Sequence, residues 1–548
     1  MRFLGPEREE GRLKGMNDDL PQTPSSSSWA QNVPLRWAFL ALMVVFAASR
    51  MFMLDDAFIS LRYAEHLAAG HGLVFNPGEW TEGYTNFSWT LLLSIPFLLG
   101  LDPVVFAHAV SLTCFLASLH LTMRIADRFL VDPRLSFVAV GALGLGQTFS
   151  AYGTSGLETQ LQVCILLWIV FMALKDSLEK RECVFFSLGC ALAILTRPDG
   201  ALSVAFWGLY VLWRHRDDGE FRFKALRLLV PGGLILGVWI GFKLTMYGQV
   251  LPNTYYAKVG GSDDLAWGMD YLMAFSLATG LLPLGLLSPL WRRTKEVSPG
   301  LWPIWGFCGL WALYVASVGG DFMEYRFMVC VIPFLILLIL ESVKRWPAVV
   351  VVLGVTVVGW SYAAPLEWTH RAGIEDIETL GSHLTQPVQD WEGVGKQLRL
   401  DLPDGSDVLV ATTAAGAIPF YSKLPSLDML GLTDAQVAHE GELFEAQRNH
   451  TRVASLGILK ERRVNLMLGQ PWLRRPGPRR HYPFQSLRGF QVFTKLNRGD
   501  LPETTRIVEI PLPPGGGGER VLIALYLHPH PDVEALIRQG AWRFYPLI

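Results

Sequence analysis

Long apolar stretches alternate with short polar segments over the first two thirds of the chain. Residues 1–34 are polar, and residues 35–54 are apolar apart from Arg36 and Arg50, a length that can cross a bilayer. Further apolar stretches lie at 86–101, 104–123, 135–150, 158–174, 183–196, 201–213, 228–247, 266–290, 301–318, 325–341 and 346–363. No comparable stretch follows Pro365. The pattern predicts an α-helical polytopic membrane protein with a more polar C-terminal region.

Basic residues predict how these stretches are oriented, because Lys and Arg favour cytoplasmic loops. The basic clusters begin at Arg124, Lys175, Arg214, Arg292 and Lys344. All of them lie on the side of the N-terminal tail if the stretch 86–101, which is short and contains Pro96, does not cross the membrane. We therefore predict about eleven spans in the cytoplasmic membrane, with the N-terminus cytoplasmic and residues 55–103 as a long first external loop.

The same pattern divides the chain into three parts. Residues 1–34 are expected to be a disordered cytoplasmic tail, 35–365 a transmembrane module and 366–548 an extracytoplasmic soluble domain. The stretch 35–54 could also be a cleavable signal, but the long polar tail before it favours an uncleaved anchor. In the last part, strands are predicted at 408–412, 464–468, 490–495 and 521–527, and helices at 390–400 and 532–539. These elements predict a C-terminal α/β domain.

Composition argues against a nucleic-acid partner and against disulfides in the C-terminal domain. Charged residues make up 18% of the 548 residues, below the roughly 25% usual in soluble domains. The formal net charge of −2 provides no basic field for nucleic acid, so no nucleic-acid partner is expected. All six cysteines precede residue 331, so disulfides cannot stabilise the C-terminal domain.

The unusual polar residues collect in the predicted external segments. Asp55 and Asp56 directly follow the first span, and Glu158 lies at the outer end of another. Carboxylates at a membrane boundary are functional candidates, although an ordinary solvated helix end would also explain the pair. Three basic residues, Arg197, Lys258 and Arg326, are external against the orientation bias. Such cations could hold a phosphate while carboxylates handle a proton or a divalent cation.

Several segments together resemble a known group of membrane enzymes. The segments are 55–58, 72–78, 82–86, 252–258, 324–327 and 425–432, with Glu158 in the second external turn. They resemble the GT-C superfamily of integral-membrane glycosyltransferases, and most closely its terminal β-(1→2) arabinofuranosyltransferase-like branch. That resemblance implies a polyprenyl-phosphate-linked sugar donor, such as decaprenyl-phosphoryl arabinose, and a glycan or glycolipid acceptor.

The resemblance also implies roles for individual residues. It makes Asp55 or Asp56 the general base, with Asp55 preferred, and makes Glu158 a ligand of the sugar or of a metal. Asp56 and Glu158 are the candidate ligands if a divalent cation is present. The other candidate substrate-binding residues are Arg62, Arg197, Tyr255, Tyr256, Lys258 and Arg326.

The leading hypothesis is an inverting glycosyltransferase embedded in the membrane and acting on its outer face. A transporter or flippase for a lipid or sugar is one alternative, but no internal repeat supports it. A non-catalytic envelope protein that binds polysaccharide through residues 366–548 is another.

Overall fold

The computed structural model describes residues 32–547, apart from positions 131, 259–263, 292–299, 364, 387, 448–449, 472, 477–489, 491–493, 495, 497 and 516–517. The predicted tail at 1–34 lies almost wholly outside the described residues, as does most of the strand predicted at 490–495. Within the described residues the chain is mostly helical up to about residue 400, and a mixed sheet follows.

The helices of the first part follow one another along the chain with short connections. They are α1 (Val33–Ala48), α2 (Asp55–Ala68), α3 (Phe87–Leu93), α4 (Ile95–Leu99), α5 (Pro103–Phe129), α6 (Pro133–Leu145), α7 (Gln147–Ala151), α8 (Thr159–Ala173), α9 (Lys180–Thr196), α10 (Gly200–Arg214), α11 (Phe221–Met246), α12 (Asn253–Lys258), α13 (Asp264–Thr279), α14 (Leu281–Leu287), α15 (Leu301–Ser317), α16 (Ile332–Val343), α17 (Pro347–Ala363), α18 (Pro365–Arg371), α19 (Ile377–Thr385) and α20 (Trp391–Asp401).

Local sequence explains where several of these helices begin. Helix α5 starts at Pro103, whose fixed φ suits the first helical position, and the Asp102 side chain accepts hydrogen bonds from the amides of Val104 and Val105 at 2.8 and 3.0 Å. Helix α6 starts in the same way at Asp132 and Pro133.

Two of the described helices, α5 and α11, are long and apolar enough to cross a membrane by length and composition. The predicted span at 266–290 is not one straight helix, because the chain bends by 91° between α13 and the helical segment that follows it. Gly280 permits this bend with a left-handed φ of +68°. The bent pair would make a third span, and several shorter apolar helices surround these. The total of eleven spans stays a prediction.

The stretch 86–101 is split, as its Pro96 suggests. Helices α3 and α4 are seven and five residues long and meet at Ser94, so neither alone could cross a bilayer. The first loop also contains α2, which runs from Asp55 to Ala68.

The C-terminal part is built on a seven-stranded mixed sheet. The elements after α20 are β1 (Val410–Thr412), α21 (Ala417–Ser422), β2 (Ser426–Asp428), α22 (Ala435–Glu440), β3 (Glu442–Gln447), β4 (His450–Val453), α23 (Leu456–Glu461), β5 (Leu466–Gly469), β6 (Leu473–Arg474), β7 (Arg506–Gly515), β8 (Gly518–Tyr526), α24 (Pro531–Arg538) and β9 (Arg543–Pro546). The strand order is β2-β1-β5-β8-β7-β9, with β6 also pairing with β8, and β3 and β4 form a separate hairpin.

Strand direction changes across this sheet. β1 is parallel to β2 and β5, with Val410 opposite Ser426 and Leu466, whereas β8 is antiparallel to β5 and β7. In the long β7–β8 ladder, Ile507 lies opposite Leu525. Ile507 and Leu525 belong to a buried core that extends under α23, so the sheet has a hydrophobic core of its own.

The sheet packs directly on the first loop. Helix α21 contacts α2, and the ring of Phe58 in α2 packs against the rings of both Phe420 and Tyr421, with centroid distances of 5.4 and 5.3 Å. Lys423 and Glu65 form an ion pair at 2.6 Å across the same contact. The acidic start of α2 therefore lies between the membrane module and the C-terminal sheet.

Candidate active site

Asp55 and Asp56 occupy the first turn of α2, where the helix dipole favours negative charge. Their side chains point in different directions. The Asp55 carboxylate accepts hydrogen bonds from the backbone amides of Gly416 and Ala417, at 3.1 and 2.7 Å. Asp56 instead faces a large cavity. The two carboxylates therefore lie in different environments although they are adjacent in the sequence.

This large cavity has a volume of about 440 Å³ and lies between the first loop, the segments around Glu158, Arg197, Lys258 and Arg326, and the C-terminal part. Six of the nine candidate site residues line it: Asp56, Glu158, Arg197, Tyr255, Lys258 and Arg326. The remaining three, Asp55, Arg62 and Tyr256, do not. We call this space the main cavity.

Arg197 is held by two carboxylates on the wall of the main cavity. Its guanidinium donates to Glu158 at 3.0 Å and to Asp199 at 2.7 Å, and the three side chains are largely buried. The second oxygen of Glu158 accepts a hydrogen bond from the amide of Asn86 at 2.8 Å. The charge of Arg197 is therefore balanced within the protein, and phosphate binding by Arg197 stays a prediction.

Arg326 and Lys258 keep more of their binding capacity. Arg326 donates through Nε to a single carboxylate, that of Asp321, at 2.5 Å, and Arg326 lines the main cavity. Lys258 has no ion-pair partner among the residues that the structure describes. Burial lowers the pKa of Lys258 below its ordinary value, and the nearby Arg326 acts in the same direction. An anionic ligand would relieve both effects.

Asp56 faces these two cations. Burial raises the pKa of Asp56 above the ordinary value of an aspartate, whereas Arg326 and Lys258 act to lower it. Burial also raises the pKa of Asp55, to about 7, against the lowering effect of its bonds from Ala417 and Gly416. A buried carboxyl with a raised pKa is a stronger proton acceptor than a solvated one.

Arg62 has a structural position. Its guanidinium donates to the backbone carbonyls of Phe75 and Leu424 at 2.7 and 2.8 Å, and also to that of Pro419. It thereby ties α2 to the rest of the first loop and to α21. Tyr256 likewise lies outside the main cavity, with its ring 4.6 Å from that of His439. Neither side chain lines the main cavity, and a substrate-binding role for Arg62 and Tyr256 stays a prediction.

The structure adds site residues that the sequence analysis did not select. Asp199 pairs with Arg197, and Asp321 pairs with Arg326. In both pairs the acid is only a few residues from the arginine in the sequence, and this closeness could have identified the two acids as site residues. Leu432 and Thr451 of the C-terminal part also line the main cavity, and no local pattern could have brought them there.

The residues described do not form a metal site. Within the described ranges, no three His, Cys, Asp or Glu side chains converge as metal ligands do. Of the two candidate ligands, Glu158 already has both oxygens engaged, by Arg197 and Asn86.

Comparison with known proteins first defines the class. The chain has the fold of ArnT from Cupriavidus metallidurans. The match to the structure bound to undecaprenyl phosphate has a TM-score of 0.53 at 14% identity and covers 90% of this chain and 97% of ArnT. The apo structure of ArnT matches equally well, with 15% identity.

Sequence comparison then names particular relatives. The chain is 30% identical over 320 residues to the terminal beta-(1->2)-arabinofuranosyltransferase of Mycobacterium tuberculosis, covering 50% of each chain. It is 27% identical over 364 residues to the protein of that name from Corynebacterium glutamicum, covering 56% of this chain and 51% of that one. The chain thus spans about half the length of the curated relatives it matches. These likenesses confirm the resemblance to the GT-C superfamily and to its arabinofuranosyltransferase-like branch.

A family profile matches a further part of the chain. Residues 382–509 match a domain of unknown function, DUF8728. This match begins in α19 and includes α20, β1 to β6 and the start of β7.

Proposed function

We propose that this chain is a membrane glycosyltransferase that transfers a sugar from a polyprenyl-phosphate-linked donor to a hydroxyl group of an envelope glycan or glycolipid. The observation that carries the proposal is the main cavity, because it combines a proton acceptor, Asp56, with Lys258 and Arg326. The names of the curated relatives and the lipid phosphate bound to ArnT support this chemistry. The proposed donor is accordingly decaprenyl-phosphoryl arabinose or a close analogue.

The reaction needs a base on one side of the sugar and an anion site on the other. Lys258 and Arg326 would bind the donor phosphate and stabilise the negative charge that grows on it as it leaves. Asp56 would accept the proton of the acceptor hydroxyl. The acceptor oxygen then forms a bond to C1 of the sugar, and the bond from C1 to the phosphate oxygen breaks. Its electron pair leaves with the polyprenyl phosphate, and a single displacement of this kind inverts C1.

Asp56 is preferred over Asp55 as the base because of where the two carboxylates point. The oxygens of Asp55 are occupied by the amides at the start of α21, whereas Asp56 faces the cations. We therefore assign Asp55 a positioning role: it fixes the first turn of α2, and with it the adjacent Asp56. Arg197, Glu158 and Asp199 form the wall against which the donor sugar would lie, with Tyr255 at the exposed rim.

This function fits the membrane arrangement predicted from the sequence. About eleven spans would place the main cavity at the outer face of the cytoplasmic membrane, with the N-terminus cytoplasmic and the C-terminal part extracytoplasmic. A polyprenyl-phosphate sugar could then enter from the bilayer and the glycan from outside.

The test is transfer from decaprenyl-phosphoryl arabinose by purified, membrane-reconstituted protein. Asp56→Asn should lose transfer by about a thousandfold or more while keeping the wild-type melting temperature, since it replaces the proton acceptor with a group of the same size. Asp55→Asn should retain measurable transfer. Asp404→Asn is the matched control, because that side chain is exposed and pairs only with Arg399 on the surface. Wild-type turnover by the Asp56→Asn protein would refute the base assignment.

A further inference from the structure

A second, smaller cavity adjoins the main cavity. It has a volume of about 90 Å³ and lies between the start of α2 and the C-terminal part. Its lining includes Asp55 and Asp56 of α2 together with His383, Trp391 and Gln470 from later in the chain. Asp56 is shared by both cavities. The proposed base therefore stands at the junction of two spaces.

The walls of the second cavity are held rigidly. The imidazole of His383 stacks on the indole of Trp391, with centroids 4.7 Å apart and planes 9° from parallel. His383 Nε2 lies 2.9 Å from Glu375, and its other ring nitrogen bonds to Gln389. A ring pair fixed in this way presents an aromatic edge whose position does not depend on a ligand.

The composition of the lining suits a sugar ring and not a phosphate. Among the described residues that line the second cavity, none is Lys or Arg. Carboxylates, an amide and aromatic rings stand together there, and these groups bind the hydroxyls and the apolar C–H faces of a sugar. The cations all lie on the main-cavity side of Asp56.

We infer that the second cavity binds the terminal sugar ring of the acceptor glycan and presents its hydroxyl to Asp56. The inference rests on the proposed function and adds the acceptor site to it. His383, Trp391 and Gln470 all belong to the region 382–509 that matches the domain of unknown function, so this region becomes the acceptor-binding part of the enzyme. The donor and acceptor then meet at Asp56 from opposite sides.

The test uses a short synthetic arabinofuranosyl oligosaccharide as the acceptor probe, because the names of the relatives specify an arabinofuranosyl transfer in a (1→2) linkage. Binding to the full-length protein is measured by titration without donor, and the KM values of donor and probe are measured separately. Gln470→Ala removes one amide from the lining, and His383→Phe keeps a ring on Trp391 but loses the hydrogen bonds. Gln436→Ala, on α22 and outside both cavities, is the matched control.

Gln470→Ala should weaken the Kd and raise the KM of the probe about tenfold, the effect of losing one good hydrogen bond. His383→Phe should shift both in the same direction, because the bonds to Glu375 and Gln389 that hold this part of the lining in place are lost. The donor KM should be unchanged in both variants. A probe that does not bind the wild-type protein, or that binds both variants as tightly as wild type, would overturn the inference. An equal rise in the donor KM would overturn it too. If wild-type protein binds the probe through Gln470 and His383 but never transfers a sugar, the proposed function fails and the sugar site stands.

Discussion

The contact between Asp55 and the start of α21 can be tested by adding a single methyl group. Gly416 lies so close to α2 that a Cβ built on it would meet the backbone oxygen of Asp55 at 1.9 Å and its side-chain Cγ at 2.8 Å. Real Cβ contacts essentially never fall below 3.0 Å. Gly416→Ala must therefore push α21 and α2 apart by about 1 Å, which lengthens both hydrogen bonds to the Asp55 carboxylate beyond useful range.

The size of the effect follows from what is lost. Each backbone hydrogen bond to a charged carboxylate contributes about 1.5–3 kcal/mol, so losing two after partial relaxation should cost about 3 kcal/mol of stability. For a protein of this size that corresponds to a melting temperature lower by about 3 °C. Because a misplacement of about 1 Å can cost a factor of about 100 in rate, turnover should fall by roughly that factor even though Gly416 itself touches no substrate.

The measurements are transfer by reconstituted protein and thermal unfolding of the same samples. Gly457→Ala is the control, because a Cβ at that position of α23 would meet nothing closer than Ser455 Oγ at 3.5 Å. Alanine should leave turnover unchanged there and slightly stabilise the helix. If Gly416→Ala keeps wild-type turnover, Asp55 does not position Asp56 through α21 and the reasoning is wrong.

Three further predictions concern the charged groups. Lys258→Met should raise the donor KM at least tenfold because it removes a cation from the phosphate site, whereas Lys460→Met, on the exposed side of α23, should not change it; equal donor KM values in the two variants would exclude Lys258 from that site. The pH profile of turnover should be bell-shaped: activity is lost as the pH falls through the raised pKa of Asp56, which must be ionised, and as it rises through the lowered pKa of Lys258, which must be charged. An acid limb at the pKa of an ordinary aspartate would contradict the first half of that assignment. Glu82 and Lys243 form a buried ion pair at 2.9 Å. Lys243→Met should therefore destabilise the protein by about 3–5 kcal/mol in thermal unfolding, because it leaves a buried carboxylate without its partner. Adding Glu82→Gln should recover part of that loss, and no recovery would mean that the two charges are not coupled.

Local sequence predicted the elements of the fold better than their arrangement. Helix α5 follows from an apolar stretch with a proline and an aspartate at its start, and β8 follows from the apolar stretch at 521–527. By contrast, β7 contains three prolines, which argue against a strand, yet it runs from Arg506 to Gly515 because β8 on one side and β9 on the other complete its pairing. The 91° bend after α13 was missed because hydropathy averages over a glycine that changes direction.

For the candidate site, too, the sequence predicted which types of residue take part but not the contacts that they make. The choice of charged residues in the predicted external segments brought five side chains to one cavity, since residues at the ends of successive helices on one side of a bundle must lie near one another. It could not separate Asp55 from Asp56, because the difference depends on Gly416 and Ala417, which are more than 350 residues away in the chain. It could not recognise Arg62 as structural for the same reason: the carbonyls that Arg62 binds belong to another part of the fold.

Pairing, and not the number of charges, defines what the main cavity can bind. Arg197 pairs with both Glu158 and Asp199, so this cluster has no unpaired positive charge left for a phosphate. Arg326 is only partly satisfied by Asp321, and Lys258 is left with burial acting against its charge. A phosphodiester carries a single negative charge, and it would be stabilised by these two cations. The carboxylate of Asp56 opposite them is then free to accept a proton as the phosphate leaves, which is the division of roles that a single inverting displacement requires.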